Sequence, residues 1–258
     1  MGAAGAQDRT EARLAPMADL LIEDQGAVRI LTMNRPEKRN ALNMALSAAL
    51  LDALRLADDE AGIRAIVLTG AGLAFCAGAD LTEFATLTPA NETLVERRAQ
   101  LTVELHGIFS RLRTPVVTAV NGAAMGGGAG LALAGDIAVM AATAKLGYPE
   151  VRHGIVAAVV MANLVRHAGR KAAFELLAIG EAIDAARASA LGLINRVVAP
   201  DKLMGEALQL ARTLAEVSPQ AMAATKALFY RVAELSFEEA LQEGGAVNRR
   251  MRAFRKEK

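Results

Sequence analysis

Residues 119–132 read AVNGAAMGGGAGLA and contain five glycines, three of them consecutive. The apolar run PVVTAV (115–120) before them predicts a buried strand, and the run GLALAG (130–135) predicts a helix. Each glycine inside a helix costs about 1 kcal/mol relative to alanine, so this accumulation needs a reason. At the start of a helix the backbone N–H groups lack partners, and without side chains a ligand oxygen can approach them closely. The same glycines also suit close packing of helix on strand, and both interpretations stay open at this point.

Two nucleotide-binding loops are excluded by spacing. A phosphate-binding loop requires a glycine followed by Lys and then Ser or Thr, which does not occur here. A dinucleotide fingerprint requires G-x-G-x-x-G, and its third glycine would fall on Leu131 or Leu133. The glycine cluster therefore indicates a different use of the backbone.

A second stretch of small residues follows another predicted strand. The run IRAIVLTG (63–70) predicts a buried strand, and GAGLAFCAGADL (70–81) continues from its end. If the two strands are neighbours, each loop can direct one N–H group at the same point. Two converging backbone donors form an oxyanion hole, which stabilises charge that develops on a reacting oxygen.

The order of predicted elements gives the fold class. Short buried strands alternate with helices as far as residue 198, which predicts an α/β fold with a largely parallel sheet. Residues 199–258 have only helical patterns, with helix starts at Ser218-Pro219 and at Ser236. We expect a flexible extension over 1–17, an α/β core over 18–198 and a C-terminal helical region.

Composition excludes several classes of function. The formal net charge is +1, so nucleic acid and anionic membranes are not expected partners, although the C-terminal residues 248–258 are basic. No apolar run reaches the roughly 18–20 residues of a membrane span. The single cysteine, Cys76, fits a reducing cytoplasm, and no cluster has metal-ligand spacing.

Five stretches, in this order and spacing, together resemble the motifs of one enzyme family: MNRPEKRNALN (33–43), FCAGADL (75–81), VNGAAMGGGAGLALAGDIAVMA (120–141), YPEVRHGI (148–155) and GEAIDAARASALGLINRVV (180–198). The chain resembles the crotonase superfamily, the enoyl-CoA hydratases and isomerases. The resemblance implies a ββα spiral core with a C-terminal helical trimerisation region, and a homotrimer or a dimer of trimers. It also implies an acyl-CoA thioester substrate and no separate cofactor, since coenzyme A is part of the substrate.

The resemblance also assigns residues. By motif position, the backbone N–H groups of Ala79 and Gly127 form the oxyanion hole. The segments that hold coenzyme A in the family correspond to four positions in this chain, mostly through backbone groups: Ala41, Ala77, Asp80 and Leu81. The resemblance offers no metal site.

One carboxylate stands where the family has its second catalytic glutamate. Glu150 follows Tyr148-Pro149 and is the only acid between Ile137 and Phe174, so we expect its pKa to be raised by its apolar surroundings. Hydratases of the family place their first glutamate two residues after the glycine triplet, where this chain has Gly130.

Three functions are compatible with this pattern. A single carboxylate favours isomerisation of a 3-enoyl to a 2-enoyl thioester, as in fatty-acid β-oxidation or related acyl-CoA breakdown. The alternatives are a 2-enoyl-CoA hydratase with a replacement for the missing glutamate, and a non-catalytic acyl-CoA binder. Glu104, His106 and His153 are interpreted as core or rim residues.

Overall fold

The computed structural model describes residues 19–254, so the expected extension over 1–17 and the last four residues lie outside the described part. It contains ten strands: β1 (Leu20–Gln25), β2 (Val28–Met33), β3 (Ala65–Gly70), β4 (Ala74–Cys76), β5 (Val116–Val120), β6 (Ala123–Met125), β7 (Ile137–Ala141), β8 (Lys145–Gly147), β9 (Ile183–Asp184) and β10 (Arg196–Val198). It also contains eight α-helices: α1 (Met44–Asp59), α2 (Glu92–Ile108), α3 (Gly127–Ala134), α4 (Met161–Ile179), α5 (Ala185–Ala190), α6 (Leu203–Glu216), α7 (Pro219–Val232) and α8 (Phe237–Arg250).

Six strands form the main sheet in the order β1-β2-β3-β5-β7-β10. The β1–β2 pair is an antiparallel hairpin that turns at Gly26, and the other pairs are parallel. Every residue of β3 and β5 is buried, as the continuous apolar runs predict for strands covered on both faces. The predicted α/β class is confirmed.

Four short strands form a second sheet in the order β4-β6-β8-β9, which the sequence analysis did not predict. Strands β4, β6 and β8 run parallel to one another, and β9 is antiparallel to β8. The first three have only three residues each, too few to show an alternating pattern, and two of them lie in stretches read as loops. This small sheet positions the candidate site described below.

Helix boundaries agree with the capping signals in the sequence. Asn43 caps α1 by accepting a hydrogen bond from the Leu46 N–H at 2.7 Å. Ser236 and Glu239 form a reciprocal capping box at the start of α8. The first helix of the C-terminal region, α6, contributes to the same hydrophobic core as the sheet through Leu203, Ala207 and Ala211.

A buried ion pair fastens the next C-terminal helix to the main sheet. The Lys226 Nζ on α7 lies 2.6 Å from Asp136 Oδ2, and it also donates to the Thr114 carbonyl at 3.0 Å. Asp136 precedes β7 and accepts two further hydrogen bonds, from the Tyr230 hydroxyl at 2.9 Å and from the Val116 N–H at 2.7 Å. Burial lowers the pKa of Lys226, and the contact with Asp136 partly offsets this effect.

In the described part of the chain no helix is long and apolar enough to span a membrane.

We expect Asp136→Asn to destabilise the protein by about 3–5 kcal/mol, because it removes the carboxylate in direct contact with the buried Lys226 ammonium. Lys226→Met should cost less, about 1–3 kcal/mol, because the Asp136 carboxylate is partly exposed and keeps two donors. The double variant should cost less than the sum of the two. Urea unfolding at one protein concentration measures the free energy of unfolding of all three variants. If the two single variants lose equal amounts and the double variant loses their sum, Lys226 and Asp136 are not coupled as proposed.

Candidate functional site

The candidate site is a cavity of about 180 Å³ at the carboxyl ends of the small sheet. Ala79, Gly127 and Glu150 all line it. Ala79 comes three residues after β4, Gly127 two residues after β6, and Glu150 three residues after β8. Because these three strands are adjacent and parallel, their ends meet at one edge, where ligands commonly bind in parallel sheets. The structure thus brings together the three residues predicted as catalytic.

The two glycine-containing loops are in close contact. A β-carbon placed on Gly127 would lie 3.9 Å from the Ala79 nitrogen, and one placed on Gly78 would lie 3.4 Å from the Gly127 nitrogen. An isolated bridge pairs Leu42 with Ala79 and holds the first loop in place from its other side. Any side chain at Gly78 would also meet the Met125 carbonyl at 2.7 Å, so glycine is required for this approach.

Within residues 19–254, the N–H groups of Ala79 and Gly127 donate to no protein acceptor. Their neighbours do: the Gly78 N–H lies 3.4 Å from Cys76 Sγ, and the Asp80 N–H donates to the Leu42 carbonyl at 3.1 Å. On the second loop the Gly126 N–H donates to the Gly147 carbonyl at 2.8 Å. The two amides that line the cavity are therefore available to an oxygen of a bound molecule.

The consecutive glycines combine the two interpretations that the sequence left open. Gly126 has φ +52°, and a β-carbon there would lie 2.6 Å from Glu150 Oε1. A β-carbon on Gly128 would lie 2.2 Å from the Cys76 carbonyl oxygen. The first glycine makes room for the carboxylate, the second provides the amide, and the third allows close packing against β4.

Glu150 lies at the start of a 3-10 helix, Pro149–His153, and is half-buried. Its Oε2 is buried and has no hydrogen-bond partner among the described residues. Burial raises the pKa of this carboxyl above its ordinary value; the backbone N–H of Glu150 itself and, to a smaller extent, the exposed His153 offset this only in part. Glu150 therefore has the burial, the unpaired oxygen and the raised pKa that suit a proton-transferring group.

The position of the absent first glutamate is filled. A β-carbon on Gly130 would lie 2.4 Å from Val160 Cγ1 and 2.9 Å from His106 Cδ2. A branched side chain and an imidazole ring at such distances leave no space for a carboxylate at this position. Among the described residues that line the cavity, Glu150 is the only acid.

His106, which the sequence analysis interpreted as a core or rim residue, also lines this cavity. It is 7% exposed, with Nδ1 2.9 Å from the Thr102 carbonyl oxygen and Nε2 3.1 Å from the Gly127 carbonyl oxygen. Burial lowers the pKa of His106. The signal in the sequence for the burial of His106 is its helical spacing to the apolar Phe109, which places His106 on the buried side of α2. Glu104, on the same helix, instead pairs with Arg55.

The four positions assigned to coenzyme A lie on the loops beside the cavity and do not line it. The Asp80 carboxylate is buried and pairs with Arg35 at 3.0 Å, while Leu81 is exposed. The Ala77 N–H donates to the Arg39 carbonyl at 2.9 Å, and the Ala41 carbonyl accepts from Arg35 at 2.6 Å. In the described part of the chain no group of three His, Cys, Asp or Glu residues is placed to hold a metal.

We expect Glu150→Gln to raise the unfolding midpoint at neutral pH but not in acid. Since the pKa of Glu150 is raised in the folded state, its stabilising contribution is complete below the unfolded-state pKa and is lost as pH rises through the folded-state pKa. The amide does not ionise, so the variant should unfold at a higher temperature than the wild type at pH 8 and at about the same temperature at pH 4. Thermal unfolding across this range measures the difference, and a gain independent of pH would contradict the assignment.

Comparisons with known proteins identify relatives over most of this chain. A family model described as Enoyl-CoA hydratase/isomerase matches residues 23–253. A Thermus thermophilus protein whose name places it among enoyl-CoA hydratases is 42% identical over 228 residues, which cover 87% of this chain and 89% of that protein. The 2,3-dehydroadipyl-CoA hydratase of Escherichia coli is 39% identical, over 91% of this chain and 89% of its own length.

Solved structures show the same fold. The crystal structure of an enoyl-CoA hydratase from Mycobacterium smegmatis superimposes with a TM-score of 0.86 at 36% identity, covering 90% of this chain and 91% of that chain. One from Geobacillus kaustophilus gives 0.85 at 34% identity, covering 91% and 90%. With the family model matched over nearly all of the described residues, this chain belongs to the enoyl-CoA hydratase/isomerase family, the crotonase superfamily.

Proposed function

We propose that this member of the family isomerises a 3-enoyl-CoA to a 2-enoyl-CoA, with Glu150 as the only acid–base group. The observation that carries the proposal is the single carboxylate in the cavity, together with a Gly130 site that has no room for a second. Moving a double bond requires one proton to leave and one to return, which a single carboxylate can accomplish.

The reaction follows from the geometry of the loops. The thioester carbonyl oxygen accepts hydrogen bonds from the Ala79 and Gly127 N–H groups. Glu150 takes a proton from C2, and the electrons of the broken C–H bond delocalise onto this oxygen as a dienolate. The two donors bind the anionic oxygen more strongly than the neutral one, and this difference lowers the barrier. Glu150 then returns the proton at C4 as the carbonyl and the C2–C3 double bond form.

The environment of Glu150 supports both of its roles. Burial raises its pKa, which makes the carboxylate a stronger base and brings it closer to the working pH. The unpaired Oε2 leaves an acceptor free for the substrate proton. A non-catalytic acyl-CoA binder would have no use for a half-buried carboxylate with one oxygen unpaired among the described residues, so we place that alternative last.

Hydration of a 2-enoyl-CoA is the second candidate, because the relatives compared above are named hydratases. It requires a second polar group to hold the attacking water. His106 lines the cavity and is one candidate, but both of its ring nitrogens already lie against backbone carbonyls. This arrangement favours isomerisation.

Coenzyme A binds as part of the substrate, next to Ala41, Ala77, Asp80 and Leu81.

We also propose that the chain forms a homotrimer or a dimer of trimers. Its support is the exposed apolar surface of the C-terminal helices, where Phe229, Phe237 and Leu241 are 64%, 80% and 59% exposed. The single buried thiol, Cys76, is compatible with a cytoplasmic enzyme.

We expect Glu150→Gln to lower turnover at least about 10³-fold while acyl-CoA binding is retained, because the amide cannot accept the C2 proton. Exposed Glu23→Gln on β1 is the matched control and should leave turnover unchanged. Parallel assays with 3-enoyl and 2-enoyl thioesters separate isomerisation from hydration. Full activity of the Gln variant would exclude Glu150, and faster hydration than isomerisation would favour the second candidate.

We expect Gly130→Ala to destabilise the protein by about 1–3 kcal/mol, since its β-carbon would overlap Val160 and displace the His106 ring. Gly130→Glu should cost more and should not create hydratase activity. Gly205→Ala is the matched control, because Gly205 lies on α6 with open space around it; that variant should be stabilised by up to about 1 kcal/mol. Chemical unfolding and the paired assays measure these changes. If Gly130→Glu gained 2-enoyl-CoA hydratase activity without losing stability, position 130 would have room for a carboxylate, and the proposal would be contradicted.

A further inference from the structure

The ring of His106 connects α2 to the first turn of α3. Its Nε2 lies 3.1 Å from the carbonyl oxygen of Gly127, the residue whose N–H lines the cavity. The contact spans 21 positions of the chain, and it involves a buried ring that faces the same cavity as Glu150. His106 is therefore placed to act on the second loop without touching the substrate.

The first turn of α3 has little intrinsic stability. Gly127, Gly128 and Gly130 occupy three of its first four positions, and each costs about 1 kcal/mol relative to alanine. Its N-cap, Gly126, has φ +52° and ψ −117° and provides no side-chain cap. The orientation of the Gly127 amide thus depends on contacts from other elements more than on the helix itself.

A neutral imidazole has one N–H, so only one of the two ring contacts of His106 can be a hydrogen bond. The Nδ1 contact to Thr102 lies within α2 and would fix only the ring. The Nε2 contact joins two elements and would fix the backbone of Gly127. Which nitrogen carries the proton therefore decides whether His106 affects the reaction.

We propose that His106 is a positioning residue of the oxyanion hole, whose Nε2–H donates to the Gly127 carbonyl and thereby holds the Gly127 N–H toward the thioester oxygen. The inference rests on the proposed function, in which that N–H stabilises the dienolate.

The side-chain-free position 130 belongs to the same arrangement. A β-carbon there would lie 2.9 Å from His106 Cδ2, so the ring occupies the space beside Gly130. Because residue 130 is a glycine, the His106 ring can occupy the space beside it and contact the Gly127 carbonyl oxygen. A glutamate at 130 and this ring position are mutually exclusive.

Three substitutions separate the two nitrogens. His106→Gln can place an amide donor near the Nε2 position, His106→Asn only near the Nδ1 position, and His106→Phe keeps the ring without a donor. We expect Phe and Asn to lower kcat about 10- to 100-fold with KM within about 2-fold, and Gln to stay within about 3-fold of the wild type. Glu23→Gln serves again as the unaffected control.

A spectroscopic probe measures how strongly the oxyanion hole polarises a bound thioester, without any turnover. The absorption band of bound 2,4-hexadienoyl-CoA, whose conjugated thioester becomes polarised by donors at its carbonyl oxygen, should shift to longer wavelength. This shift should be retained in His106→Gln and reduced in His106→Phe and His106→Asn. It should also be retained in Glu150→Gln, so failure of the acid–base assignment and failure of the positioning role give different results.

The role is overturned if His106→Phe and His106→Asn keep both kcat and the band shift, or if Gln behaves like Phe in a folded protein. A measurement on the unmodified enzyme decides the case where variants do not fold. Nitrogen-15 chemical shifts of the His106 ring should show the proton on Nε2. A proton on Nδ1 alone would overturn the proposal, because Gly127 would then receive no hydrogen bond from the ring.

Discussion

The candidate site depends on two backbone N–H groups, those of Ala79 and Gly127, which face one cavity and have no protein acceptor within residues 19–254. An unpaired donor in a cavity is unfavourable, so the surrounding backbone has to be paired well enough to hold it in place. The amides flanking Ala79 are engaged, and the Leu42–Ala79 bridge fixes the loop from its other side. The pairing of β4, β6 and β8 then delivers both amides and the carboxylate of Glu150 to one edge.

Close packing and chemistry are achieved here by the same glycines. The approach of the two loops requires the absence of side chains at Gly78 and Gly128, where a β-carbon would meet backbone oxygens at 2.7 and 2.2 Å. These contacts bring the Gly127 amide near that of Ala79. Packing against backbone is also stiffer than packing against flexible side chains, which suits donors that must be positioned before the reaction begins.

Local patterns predicted the long buried strands, the helix start at Ser236 and the α/β class, because each depends on residues close together in sequence. Motif resemblance predicted that Ala79, Gly127 and Glu150 belong to one site, and the structure brings them together. The small sheet and the contact of His106 with Gly127 were not predicted. Strands of three residues have no periodic signal, and the contact of His106 with Gly127 joins residues 21 positions apart.

The absence of a glutamate at position 130 is explained by the lack of free volume beside this residue. Sequence alone shows glycine at position 130, which would be compatible with an empty space that water or another group could fill. The structure shows that the space is occupied by Val160 and by His106, from two different elements. A second carboxylate at position 130 would therefore require both Val160 and the His106 ring to move, and that ring contacts Gly127. The number of acids in this cavity is set by packing around α3 as much as by the residue at position 130.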